Sequence, residues 1–148
     1  MERADQQMVV VSNRLPLVIE QVDDAWQIAP ASGGLVTALE PVMSRVNGLW
    51  IGWPGGAVDE APYGELFERF AAEHGYRLAA VPLTEEDVEL YYRGFSNETL
   101  WPLFHDLLGR CKFSLSAWQR YQEVNGKFAA AIAAQVLDEQ LIWVHDYQ

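Results

Sequence analysis

Four groups of residues in this chain have the types and spacing to do chemistry. Arg14 follows the β-branched run Met8-Val-Val-Val11 by three positions. In an open α/β sheet the carboxyl end of a strand is where ligands gather, and a guanidinium there can form a bidentate pair with a phosphate. An ordinary surface arginine after a strand has the same local sequence. Gly33-Gly34 stands before the apolar run Leu35 to Leu39. A glycine pair opening a helix lets a phosphate reach backbone N–H groups at the positive end of the helix dipole, although a plain turn uses the same residues. It is neither G-x-G-x-x-G nor a Walker loop.

The third group is aromatic: Trp50, Trp53, Tyr91, Tyr92, Phe95 and Trp101. Trp and Tyr offer a flat apolar face to a sugar ring and a polar tip to a hydroxyl, and they are equally ordinary core residues. Tyr91 and Tyr92 are adjacent on a helix, so one of them must point away from the core. The fourth is Asp146, directly after the apolar run Leu141-Ile-Trp-Val-His145. A carboxylate beside a buried strand needs a partner, and sugar hydroxyls would serve. His105 and His145 read as satisfied structural histidines, and three histidines with one cysteine give no metal site. No cofactor is called for, and neither a hydrolase nucleophile elbow nor a glycosidase carboxylate pair is present.

The elements that must position these groups follow from hydrophobic pattern. Met8–Val11 reads as a strand buried on both faces, ended by Ser12-Asn-Arg-Leu-Pro16. Leu17 to Ile28 alternates around Asp23-Asp24, which predicts a hairpin or an excursion loop. A helix then opens at Gly33-Gly34, and Gly48 to Trp53 is a second strand closed by Pro54-Gly55-Gly56. Leu66, Phe67, Phe70 and Ala71 predict a helix capped by Gly75. Tyr76 to Leu83 is a third strand. Thr84-Glu-Glu-Asp87 starts a charged helical turn, with Thr84 as cap, and the helix is expected to break near Gly94. Asn97 to Leu108 and Ser116 to Leu137 are helical, and Leu141 to Val144 is a fourth strand. This order predicts an α/β fold with a parallel sheet and flanking helices, its fourth strand lying on the far side of the first. An edge of Leu, Ile, Trp and Val without Lys or Pro sets an expectation of self-association there.

Composition narrows the classes. A length of 148 residues at 50% hydrophobic supports one folded core. A net charge of −11 opposes unspecific binding to nucleic acid or anionic membrane. Cys111 stands alone, which fits a reducing compartment. Met1 to Gln7 is polar with no secretory h-region following, and a cytoplasmic location is the expectation.

Taken in order, Val9-Val-Val-Ser-Asn-Arg-Leu-Pro16, Ser32-Gly-Gly-Leu35, Trp50-Ile-Gly-Trp-Pro-Gly55, Tyr91-Tyr-Arg-Gly-Phe-Ser-Asn97, Leu100-Trp-Pro-Leu-Phe-His105 and Trp143-Val-His-Asp-Tyr147 resemble the trehalose-6-phosphate synthases. That resemblance implies a retaining glycosyltransferase with two Rossmann-like domains, moving glucose from a nucleotide donor such as UDP-glucose to glucose-6-phosphate. Residues 1–148 would be an incomplete N-terminal, acceptor-side domain, and the nucleotide-sugar domain would be absent. Carried over by motif, Arg14 and Tyr92 would contact the acceptor phosphate, Trp53 and Trp101 would line the sugar pocket, and Asp146 would hold its hydroxyls as the catalytic-site carboxylate. Gly33 and Gly34 would face the donor diphosphate through the Gly34 N–H. The family motif at the end reads His-Asp-Tyr-His, and here Gln148 takes the last position. Family members are several times longer and carry elsewhere the cationic pair that neutralises the leaving diphosphate. Stabilising that developing charge usually contributes more to such catalysis than any other single effect. The isolated chain is therefore expected to be inactive or acceptor-binding only. A short sugar-phosphate-binding or regulatory subunit, and a related synthase using glycerol-3-phosphate or a cyclitol, are the alternatives.

Overall fold

The computed structural model describes residues 8–55 and 61–148. Gly56, expected to end the turn after the second strand, lies outside the described residues. The elements are β1 (Met8–Arg14), β2 (Leu17–Val22), β3 (Ala25–Pro30), α1 (Gly34–Val46), β4 (Leu49–Trp53), α2 (Tyr63–His74), β5 (Arg77–Ala80), α3 (Glu85–Asp87), a π-helical stretch (Val88–Leu100), α4 (Trp101–Phe104), a single 3₁₀ turn (Leu108–Arg110), α5 (Leu115–Gln135) and β6 (Leu141–Val144). β1, β4, β5 and β6 form a parallel sheet in the order β5-β4-β1-β6. The expected placement of the fourth strand beside the first holds: Met8 pairs with Leu141 and Val11 with Val144.

Both faces are covered at β1, β4 and β5, which is why these strands read as unbroken apolar runs rather than alternations. Val10, Trp50 and Leu78 pack with Leu39 and Met43 of α1, Leu66 and Phe70 of α2, and Leu17 and Ile19 of the hairpin. Val9, Val11, Leu49, Ile51 and Ala79 face the other way, onto Tyr91 and Val124. The hairpin closes on Asp23 and Asp24, both at positive φ (49° and 61°), the geometry of a two-residue turn that short polar side chains tolerate. Gly75 caps α2 in the left-handed conformation at φ 76°, as its spacing predicts.

Three expectations need correction. β1 does not stop at Val11 but continues to Arg14, through an irregularity between Val11 and Arg14 where it faces β4. The Ser12 hydroxyl sustains that irregularity: it donates to the Arg14 carbonyl at 2.6 Å and accepts from the buried Trp50 Nε1 at 2.8 Å. Second, helix does not break at Gly94. α3, the π-helical stretch and α4 run without interruption from Glu85 to Phe104. A Cβ at Gly94 would lie 3.4 Å from Ala117 Cβ of α5 and 3.2 Å from the Glu89 carbonyl, so the glycine admits close helix packing instead of ending the helix. Third, β6 is exposed at all four positions, not buried.

Gly52 is the tightest point. A Cβ there would stand 2.9 Å from the Arg14 carbonyl carbon, the Leu15 nitrogen and the Ser12 oxygen, all of them backbone atoms. Gly126, inside α5, has nothing within 4 Å of its Cβ position. Gly52→Ala is expected to destabilise the protein by about 1–3 kcal/mol through overpacking against a backbone that cannot yield. Gly126→Ala should stabilise it by about 0.5–1 kcal/mol through helix propensity. Urea unfolding midpoints of the two variants check the pair; a Gly52→Ala midpoint at or above that of wild type would disprove the close-approach role of Gly52.

Candidate functional site at the carboxyl end of the sheet

β1, β4 and β6 end side by side, and their last residues supply the first part of the site. Arg14 pairs with Trp53 across the β1–β4 register, and the Leu15 amide donates to the Trp53 carbonyl at 2.9 Å. The Arg14 guanidinium lies 4.9 Å from the centroid of the Trp53 ring. Trp53 is buried while Arg14 is exposed, so the indole fixes a cation at the sheet end and leaves it open to solvent. On the other side of β1, the His145 amide donates to the Val11 carbonyl at 2.8 Å, extending the β1–β6 ladder one step. That step delivers Asp146, which is exposed and held at φ 60°.

The helical rod from Glu85 to Phe104 closes the site from above the sheet. Tyr91 is 1% exposed and its phenol donates to Asn13 Oδ1 at 3.0 Å, bridging the rod to the end of β1. Tyr92 is only partly buried, so the two adjacent tyrosines diverge as their helical positions require. Burial raises the Tyr91 phenol well above the ordinary range, with Tyr121 and Tyr92 adding to it. The Tyr147 phenol is also raised, by burial first and then by the Asp146 carboxylate and Tyr92. Tyr147 follows Asp146 directly beyond the end of β6. Its carbonyl accepts from the Tyr121 phenol at 2.8 Å, and Phe104 meets its ring edge-on at 5.7 Å.

The remaining predicted residues sit at the margins. Trp101 is 42% exposed at the start of α4, its ring stacked on His105 at 4.2 Å, and no contact joins it to Arg14 or Asp146. Gly33 and Gly34 open α1 with no side-chain cap and no acid in the first turn, leaving backbone N–H donors uncovered, and a Cβ at either would meet nothing within 4 Å. Asn13, Tyr91 and Tyr147 belong to the same neighbourhood and were not among the predicted site residues. His145 departs from its expected role: its Nε2 is buried without a hydrogen-bond partner among the described residues. A cavity of about 670 Å³ elsewhere, walled by Trp26, Glu40, Arg69 and Glu73, lies between the hairpin, α1 and α2 and includes none of the predicted residues. Strand carboxyl ends are where parallel sheets take ligands, so the Arg14–Asp146 end is the candidate site.

One buried carboxylate anchors the rod. Asp87 is fully buried, and its capping box with Thr84 starts the helix. It also accepts from Lys127 and, at 3.2 Å, from Arg120 Nη1, both on α5. Burial works against its ionisation, but the hydrogen bonds from Lys127 and Thr84 outweigh it and hold the carboxyl below the ordinary aspartate range. Phe95, Trp118, Tyr121 and Tyr91 then stack between the rod and α5.

An open parallel sheet flanked by helices, with Arg14, Trp53 and the turn to Asp146 at the carboxyl ends of its strands, defines a Rossmann-like unit. The chain belongs to glycosyltransferase family 20, whose family model matches residues 6–148. It is 44% identical over 144 residues to the trehalose-6-phosphate synthase of Mycolicibacterium smegmatis, covering 95% of this chain and 27% of that protein. Among solved structures it resembles the alpha,alpha-trehalose 6-phosphate synthase of Burkholderia multivorans, with a TM-score of 0.72, 36% identity and coverage of 96% of this chain and 29% of that one. It also resembles a UDP-forming alpha,alpha-trehalose-phosphate synthase of Burkholderia xenovorans in complex with glucose-6-phosphate, with a TM-score of 0.68 at 27% identity, over 95% of this chain and 28% of that one. The chain thus spans less than a third of the length of these relatives.

Because the folded-state pKa of Asp87 is depressed, its stabilisation is present above the unfolded value near 4 and is lost as pH falls through the lower folded value. Asp87→Asn should cost about 1–3 kcal/mol at pH 7, the loss of charge-assisted hydrogen bonds to Lys127 and Arg120. The difference from wild type should shrink on acidification below pH ~4. Chemical denaturation across this range checks the sign, and a difference that grows toward low pH would refute it.

Proposed function

We propose that the chain is the acceptor-side part of a trehalose-6-phosphate synthase, in which glucose passes with retention from UDP-glucose to the anomeric oxygen of glucose-6-phosphate. The observation carrying this reading is the placement of Arg14 over Trp53, with Asp146 just beyond the neighbouring strand, at one sheet end in a family 20 chain. On this reading the guanidinium of Arg14, fixed over Trp53, pairs with the acceptor phosphate, and the Tyr92 phenol adds a hydrogen bond to it. Trp101, exposed at the start of α4, walls the sugar ring, buried Trp53 backs the pocket from beneath Arg14, and the Asp146 carboxylate accepts from the sugar hydroxyls, orienting the attacking oxygen. The uncapped start of α1 supplies Gly33 and Gly34 N–H donors toward the donor diphosphate. The nucleotide-sugar domain and the groups that neutralise the leaving diphosphate belong to the part of the relatives that this chain does not match. A cytoplasmic site of action agrees with an unpaired Cys111. No helix among the described residues is long and apolar enough to cross a membrane.

Self-association is proposed on separate grounds. Among the described residues β6 pairs with β1 on one side only, and Leu141 and Val144 are 62% and 57% exposed. An unblunted apolar edge templates pairing with a second chain. Light scattering of this chain over a concentration series should show dimers or larger species, reduced by Ile142→Lys; a monomer throughout would dismiss the proposal.

For catalysis, the test belongs in a longer protein carrying this segment. Arg14→Ala should weaken use of glucose-6-phosphate by a factor equivalent to about 1.5–3 kcal/mol, the value of a charge-assisted hydrogen bond. Tyr92→Phe and Trp101→Ala should raise the acceptor KM more than the donor KM. Steady-state kinetics with each substrate varied in turn measures this, and an effect confined to the donor KM would reject the assignment.

A further inference from the structure

A second, smaller cavity lies beneath the site, on the α5 face of the β1–β6 strand ends. Its volume is about 200 Å³, and Asn13, Tyr91, Asn125, His145 and Gln148 contribute its polar lining. Two atoms at this cavity stand out: His145 Nε2 and Gln148 Oε1 are both buried and have no hydrogen-bond partner among the described residues. Leaving a buried polar atom unmatched costs about 1–3 kcal/mol, and such groups in folded proteins are almost always satisfied by protein or by ordered water. The cavity has room for water, whose share of liquid volume is about 30 Å³, and it offers the several polar partners a buried water needs. The valences also agree. Gln148 Oε1 only accepts, whereas His145 Nε2 donates or accepts according to tautomer. One water can donate to the amide oxygen and satisfy the ring nitrogen in either state.

These two residues bracket Asp146. The backbone around it is already pinned, by the His145 amide on Val11 and by the Tyr147 carbonyl under Tyr121. Between those points Asp146 takes φ 60°, a left-handed conformation that an aspartate tolerates and that its held neighbours keep as one defined turn. Asp146 itself is exposed and does not line the cavity. We infer that ordered water in this cavity joins His145 to Gln148 and clamps the Asp146 turn, making His145 and Gln148 positioning residues for the carboxylate that meets the acceptor sugar. The clamp stands on the structure alone; its effect on the sugar rests on the function proposed above.

The test has two arms. A high-resolution crystal structure of this chain should show water within hydrogen-bond distance of both His145 Nε2 and Gln148 Oε1, and in Gln148→Leu the Asp146 backbone should leave the left-handed region. A dry cavity, a direct His145–Gln148 bond, or an unmoved Asp146 in Gln148→Leu would overturn the clamp whether or not any sugar binds. In the second arm, glucose-6-phosphate is titrated into wild type, Gln148→Leu, Gln148→His, Asp146→Ala and the Asp146→Ala/Gln148→Leu pair, followed by amide shifts. Gln148→Leu should weaken affinity about 3- to 10-fold, the equivalent of one hydrogen bond, and Gln148→His, which keeps a polar ring nitrogen, should restore it. The loss should vanish in the Asp146→Ala background; an equal loss in both backgrounds would overturn the positioning role. Absence of glucose-6-phosphate binding by wild type would count against the functional reading and leave the first arm to decide the clamp.

Discussion

The architecture depends on one steric constraint: the end of β1 crosses β4 at Gly52 with backbone against backbone. A Cβ at that position would come within 2.9 Å of three backbone atoms. The contact lets Ser12 bridge the Trp50 indole and the Arg14 carbonyl, and it turns the chain so that Leu15, Leu17 and Ile19 enter the core beneath the hairpin. Arg14 is left as the last residue of the strand, over the face of Trp53. A guanidinium placed this way has lost much of its rotamer freedom before any ligand arrives, which lowers the entropic cost of binding an anion. This placement also leaves an exposed cation at the sheet end of a chain whose net charge is −11.

The second determinant is the attachment of the helical rod. The rod is held against α5 by a junction that combines packed aromatic rings with a charge cluster. Arg120 meets Glu86 at 2.9 Å, Asp87 at 3.2 Å and Glu123 at 3.4 Å. Glu86 and Glu123 are mostly exposed, so solvent screens those pairs and they contribute little. Asp87 differs because it is fully buried and has its acceptor sites filled by Thr84, Lys127 and Arg120. A buried carboxylate satisfied from two helices fixes their register, since sliding one past the other would strand the charge. π-Helical hydrogen bonding along Val88–Leu100 accompanies this fixed packing and carries Tyr91 into the core while Tyr92 stays partly exposed.

Much of this was legible from residue pattern. Apolar runs marked the parallel strands, Asp23-Asp24 marked the hairpin turn, and Gly75 marked the end of α2. The adjacent tyrosines had to diverge, and they do. What failed did so where tertiary contacts decide. Gly94 carries the local signal of a helix breaker, and only the proximity of Ala117 shows it to be a packing residue. Glu85, Glu86 and Asp87 are equivalent as a helical first turn, and nothing local singles out Asp87 as the buried one. Of the candidate site, Arg14 and Asp146 were accessible because strand ends are local features, whereas Trp53 and Tyr92 were singled out from the aromatic cluster only by the family resemblance. Asn13 was not accessible, because its bond to Tyr91 spans 78 positions. His145 looked ordinary for the same reason, since its surroundings come from α5 and the rod.

Function turns on whether the carboxyl end of β1, β4 and β6 is built for a phosphorylated sugar. Two-dimensional amide NMR of the uniformly ¹⁵N-labelled chain, titrated in parallel with glucose-6-phosphate and with glucose, decides this without any other protein. Saturable shifts should centre on Arg14, the Trp53 indole, Tyr92 and Asp146, with clearly tighter binding of the phosphorylated sugar. Equal affinity for the two sugars, or shifts centred on Trp26, Glu40 and Arg69 between the hairpin, α1 and α2, would show that the phosphate is not read at this end of the sheet.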